Sequence, residues 1–168
     1  MMGRAGLTAL GWNRKRPGQI EQMRIYLDTC SLQRPLDSRA QTRIILEADA
    51  TLGILALCEA GISELASSDI LLYETSRTPN VTRQEYAYET LSKATVFVEL
   101  DVQVERRARE LNVASIEPLD ALHLASAEAA RADLFCTCDD RLLKRARGVP
   151  GLQTRVVSPL EAIGEIEP

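Results

Sequence analysis

Aromatic side chains make up only 4% of this 168-residue chain: one tryptophan, four tyrosines and two phenylalanines. That scarcity excludes a base-stacking platform of the kind that holds single-stranded nucleic acid on successive rings. Long apolar runs are missing too. None approaches the roughly 18 residues that suggest a membrane span, so no membrane role is expected. The four cysteines (Cys30, Cys58, Cys136, Cys138) form no CxxC pair. Cys136 and Cys138 share one face of a predicted strand, where buried free thiols are common. A zinc site joining cysteines to His123, the sole histidine, is the alternative. With no secretory context, the cysteines point to a cytoplasmic protein. Neither charge sign dominates: 20 Lys and Arg against 24 Asp and Glu leave a net −4. That balance does not by itself attract phosphate. Basic residues do gather locally, as Arg34, Arg39 and Arg43, and again as Arg141, Lys144, Arg145 and Arg147. Solvated helix faces would explain either group equally well.

What is present is the composition of an ordinary globular domain, 45% hydrophobic and 26% charged. The length suits one domain with a real core. Residues 1–22 read as a flexible extension, with Arg14-Lys15-Arg16 but no apolar stretch or cleavage site of a signal peptide. The domain is expected over 23–168. Strands and helices alternate from Arg24 onward. Ile25-Tyr26-Leu27 is a predicted strand, and 40–60 a helix with Ile44, Ala48, Leu52 and Leu55 on one face and Gly61 as its stop. A strand over 62–66 leads to a helix capped by Ser68 or Asp69. Thr82 with Glu85 reads as a capping box for the next helix. Further strands are expected over 95–100 and 133–138 and at Val156-Val157. Helices are expected from Asp101, from Pro118, from Asp139 and from Pro159. Such alternation predicts a three-layer α/β/α sandwich around a mostly parallel sheet.

Four acids are each expected where a strand hands over to a helix: Asp28, Glu74, Asp120 and Asp139. In an open parallel sheet the carboxyl ends of the strands surround the ligand crevice. Carboxylates meeting there repel one another unless protonated or neutralised by a cation. A hard oxygen-loving ion, Mg²⁺ or Mn²⁺, is the expected occupant. Each acid also has a plain reading. Asp120 and Asp139 could simply cap helices, and Glu74 could face solvent.

The set resembles a known family. Leu-Asp-Thr at 27–29, Glu74 after the Ser-Ser-Asp helix start, Leu-Asp-Ala-Leu-His-Leu-Ala at 119–125 and Thr-Cys-Asp-Asp-Arg-Leu-Leu at 137–143 are similar in order and spacing to the PIN domain, the fold of VapC-type toxins. The resemblance runs from Met23 to about residue 163. It implies a Mg²⁺- or Mn²⁺-dependent endoribonuclease with Asp28, Glu74, Asp120 and Asp139 as metal-binding and catalytic acids. Asp140 is the alternative for the fourth, and Thr29 matches a hydroxyl residue that accompanies the first. The implied partners are an RNA substrate, a small antitoxin if the protein is a toxin, and a second copy of the chain in a homodimer. A long regular helix after Asp28 and a Gln33-Arg34-Pro35 turn depart from the compact toxin pattern and lie nearer stand-alone PIN proteins.

His123 falls three residues after Asp120 on the same helical face, which suits packing or support of the acids better than a general base. Arg34, Arg43 and Arg141 are candidate phosphate contacts. Two other acid-pocket enzymes fit less well. A haloacid dehalogenase needs a second Asp where Cys30 stands, and a phosphorylated receiver needs a lysine near the last strand, where 156–159 offer none. A PIN module that binds RNA or a protein without cutting is the remaining alternative.

Overall fold

The computed structural model describes residues 22–166, so all but Gln22 of the N-terminal extension lies outside the described residues. The described residues open on β1 (Met23–Leu27), followed by α1 (Thr29–Gln33), a 3-10 turn at Arg34–Leu36, α2 (Thr42–Glu59) and β2 (Ser63–Ser68). Then come α3 (Asp69–Ser76), α4 (Val81–Ser92), β3 (Val96–Val98), α5 (Val102–Val113) and α6 (Pro118–Ala129). β4 (Leu134–Cys136), α7 (Asp140–Arg147), β5 (Arg155–Val157) and α8 (Pro159–Ile166) complete it.

The five strands of the described residues form one sheet in the order β3-β2-β1-β4-β5, with every pairing parallel. In β1, Ile25, Tyr26 and Leu27 are all fully buried. Successive strand residues point to opposite faces, so both faces of the sheet are covered and the architecture is a three-layer α/β/α sandwich. The core joins these to Leu65, Leu71, Leu124, Leu134 and Phe135. The chain builds outward from β1 through β2 to β3, then crosses back to lay β4 on the other side of β1. That reversal puts the topological switch point between β1 and β4, whose carboxyl ends lead into Asp28 and Asp139.

Local chemistry accounts for most boundaries. Ser68 accepts a hydrogen bond from the Leu71 N–H and starts α3, and Asp101 does the same for α5 through the Val104 N–H. Pro118 and Pro159 occupy the first helical positions of α6 and α8. Gly61 closes α2 with a φ of 72°, a conformation that favours glycine.

Several expectations need correction. The helical region after Asp28 is not one regular helix: α1 and the 3-10 turn precede α2, because Pro35 lacks the N–H that would continue the first helix. The buried face of α2 carries Glu47, Ala48, Thr51 and Ile54, whereas Leu52 is exposed. The true stripe is shifted because it includes a buried glutamate paired with Arg34 and Arg43. The capping box at Thr82 and Glu85 does not form. Asn80 caps α4 two residues earlier by accepting from the Arg83 N–H. The strands β3 and β4 are three residues each, shorter than predicted.

Candidate active site at the carboxyl ends of β1 and β4

Asp28 follows β1 directly and its backbone N–H bonds the Cys136 carbonyl at 3.1 Å, extending the β1–β4 ladder by one step. Its side chain is buried and caps α1, Oδ1 accepting from the Ser31 N–H at 2.9 Å. The Cys30 sulfur lies 3.0 and 3.2 Å from the two carboxyl oxygens. Burial holds this carboxyl well above the ordinary range.

Glu74 projects from α3 and is reached from two sides. The Thr29 hydroxyl donates to Oε2, and His123 Nε2 lies 2.6 Å from the same oxygen. Burial pushes Glu74 upward, but the His123 hydrogen bond and charge, with the Thr29 hydroxyl, outweigh it and leave the carboxyl below its usual range. On its other side His123 Nδ1 lies 2.8 Å from the Tyr26 hydroxyl, which lies 2.7 Å from Ser68 Oγ. These contacts form one continuous hydrogen-bonded chain, Glu74–His123–Tyr26–Ser68, which ends where the Leu71 N–H donates to Ser68 Oγ. Tyr26 is fully buried and stacks on Phe135 at 5.5 Å, so the relay is fixed to the centre of the sheet.

Asp120 stands in the first turn of α6, one turn before His123. It makes no hydrogen bond through its carboxylate among the described residues. Burial raises its pKa first. The charge of His123 opposes this, and the charges of Asp139, Glu74 and Glu117 add to it. Asp139 caps α7, Oδ1 accepting from the Arg141 and Leu142 N–H groups at 2.8 and 3.3 Å. Asp140 is fully engaged instead: Arg43 grips both its oxygens at 2.7 Å each.

Beside Glu74 opens a cleft of about 670 Å³ whose wall includes Thr29, Gln33, Arg77, Arg83 and Leu119. Arg77 lies over the Tyr73 ring at 5.7 Å, while Arg83 pairs with Asp37 at 2.7 Å.

Residues 25–148 match the sequence profile of the PIN domain. The chain belongs to the PIN domain family. Members of this family are generally nucleases. No curated protein matches the chain. Among solved structures, VapBC2 from Rickettsia felis, bound to a DNA fragment from its promoter, is similar at a TM-score of 0.56 and 16% identity over 81% of this chain and 98% of that one. PAE2754 from Pyrobaculum aerophilum matches at a TM-score of 0.49 and 15% identity over 86% of this chain and 97% of that one.

In this PIN domain Asp28 and Asp139 follow the two strands that flank the switch point, and Asp120 lies near enough to Asp139 and Glu74 to feel their charge. Among the described residues, no group of three His, Cys, Asp or Glu side chains is placed to hold a metal ion. Three of the four bond protein donors: Asp28 meets Ser31 and Cys30, Glu74 meets His123 and Thr29, and Asp139 caps the start of α7. The donor chemistry nevertheless fits a hard cation. Glu74 and Asp139 each commit only one oxygen to these bonds, and Asp120 commits neither, among the described residues. Two expected phosphate contacts are already occupied, Arg34 by Asp37 and Glu47, and Arg43 by Glu47 and Asp140. Sequence reasoning missed Tyr26 and Ser68. Nothing in an apolar strand or a helix cap marks a polar relay. The zinc alternative also finds no support, since His123 bonds Tyr26 and Glu74 rather than a cysteine. No described helix is long and apolar enough to cross a membrane.

Proposed function

We propose that this PIN domain is a Mg²⁺- or Mn²⁺-dependent endoribonuclease acting in the cytoplasm, with Asp28, Glu74, Asp120 and Asp139 as its acidic site. The observation that carries the reading is the placement of oxygen donors with uncommitted oxygens around the β1–β4 switch point, beside an open cleft that bears Arg77. Asp139 rather than Asp140 is the fourth acid on this reading, because Asp140 is turned out to solvent and paired with Arg43, whereas Asp139 keeps one oxygen outside its helix-capping bonds.

Hydrolysis of a phosphodiester needs an in-line water, relief of phosphate charge and a stabilised leaving oxygen. A bound divalent ion supplies a low-pKa water and charge neutralisation. Asp28, Asp120 and Asp139 would hold it through carboxylate oxygens. Glu74, kept ionised by His123 and Thr29, orients the attacking water or adds a ligand. His123 is a positioning residue: it fixes the Glu74 carboxylate and is itself fixed by Tyr26. The single strand lies along the cleft beside Glu74, where Arg77 faces its phosphates and Gln33 and Asn80 offer amide groups to its bases or sugars.

The reading extends to a toxin held silent by a small antitoxin that covers the cleft, and to a homodimer as the working form. The fold shared with VapBC2 supports the first, and a short open reading frame directly upstream is its expected mark. The direct test is incubation of purified protein with mixed single-stranded RNAs in Mg²⁺, Mn²⁺ or EDTA. Cleavage in either metal that EDTA abolishes is the expected result. Tight RNA binding without cleavage in any metal would replace the enzyme with a non-catalytic binding module.

A further inference from the structure

A second cleft, of about 480 Å³, opens beside α7, with Ser115, Arg141, Lys144, Arg145 and Gly148 in its wall. Its cations are not equivalent. Arg145 is paired with Glu117 at 3.0 Å, whereas Arg141 and Lys144 meet no carboxylate among the described residues and are exposed. Lys144 lies in the last turn of α7, where a cation favours the helix dipole and needs no further explanation. Arg141 lies in the first turn, where the dipole disfavours it. Helix stability therefore does not account for Arg141.

Position does. Leu119 lines the first cleft and Ser115 the second, so the start of α6, with Asp120, stands between the two. Asp139 caps α7 two residues before Arg141, which lines the second cleft. A strand of RNA lying in the first cleft and crossing Asp120 and Asp139 would run on toward Arg141 and Lys144. Its phosphates pass a group of carboxylates on the way, and cations beyond them offset that repulsion. We infer that the α7 cleft is a second phosphate-binding subsite, in which Arg141 and Lys144 hold the backbone of the RNA on the far side of the bond that is cut. This inference rests on the nuclease reading and adds a minimum substrate length to it.

The experiment compares wild type with the double variant Arg141→Ala/Lys144→Ala in Mn²⁺, on single-stranded RNAs of increasing length and over a range of salt. Wild-type kcat/KM should rise with length until the strand reaches both clefts. The variant's loss should grow with RNA length and come as a higher KM rather than a lower kcat. Its salt dependence should flatten by about 0.7 in log–log slope per lost contact, the value for single strands. Arg141→Lys, which keeps the charge, should restore most of the length effect. A double variant that matches wild type at every length and salt would overturn the subsite while leaving the nuclease intact. A wild type that cuts no RNA in either metal would overturn the nuclease reading itself, and this inference with it.

Discussion

His123 Nε2 lies 2.6 Å from Glu74 Oε2, and the imidazole is almost completely buried. The pair fixes one oxygen of Glu74 and leaves the other free. Because His123 also bonds Tyr26, its ring cannot turn away without breaking the relay.

His123→Ala is therefore expected to lower cleavage about 10- to 100-fold, the usual range for a residue that orients a metal-binding group. It removes the largest influence holding Glu74 below its ordinary pKa, leaving burial to push that carboxyl upward. Glu74 then ionises only at higher pH, so the acid limb of the pH–rate profile should move to higher pH. A fall in rate with no displacement of that limb would make His123 a packing residue only.

Removing charge from the acids tests the site itself. Asp28→Asn and Asp120→Asn keep shape but lose the anion, and both should abolish cleavage while circular dichroism stays that of wild type. Asp139→Asn should be far more damaging than Asp140→Asn. The latter breaks the Arg43 fork at the surface, an exposed ion pair worth little to stability. The opposite order would move the fourth acid by one position.

Asp120 gives a prediction about stability. Its pKa is raised above the ordinary 3.8 by burial and by neighbouring acids. The folded state thus keeps its proton to higher pH than the unfolded chain, and stability is lost as pH rises from the unfolded value through the folded one. In EDTA, Asp120→Asn should melt higher than wild type, with the gain growing across that window. Saturating Mn²⁺ should stabilise wild type by mass action, about 2.7 kcal/mol at a hundredfold excess over Kd, and the variant by less. An identical metal response in both proteins would remove Asp120 from the site.

A chain beginning at Met23 should fold and cut like the full chain, because every strand among the described residues and every proposed site residue lies at or after that position. The check is its melting temperature and its rate of RNA cleavage. A clear loss of either would make residues 1–22 part of the domain.

The acids were legible in sequence because each follows an apolar run or opens a helix, and the parallel fold then dictates where strand ends go. The order of the acids and the Ser68, Asp101 and Pro118 helix starts follow from local chemistry, whereas the strand order that makes the switch point does not. What local chemistry could not reveal is which oxygens are free. That depends on long-range donors, such as Thr29 and His123 on Glu74 or Arg43 on Asp140. The same limit explains the misplaced stripe of α2, whose buried Glu47 is met not only by its helical neighbour Arg43 but also by Arg34 from outside the helix.

The crossing that sets β4 beside β1 also has a consequence for synthesis. Asp28 and Glu74 emerge from the ribosome early, but Asp120 and Asp139 come late, and the Cys136 carbonyl that fixes the Asp28 backbone arrives more than 100 residues after it. Domains mature as units during translation, and here the central strand lacks one neighbour until nearly the whole chain exists. A half-made protein thus holds two acids with no geometry between them. On the proposed reading, the acidic site is assembled only after β4 has been made and laid beside β1.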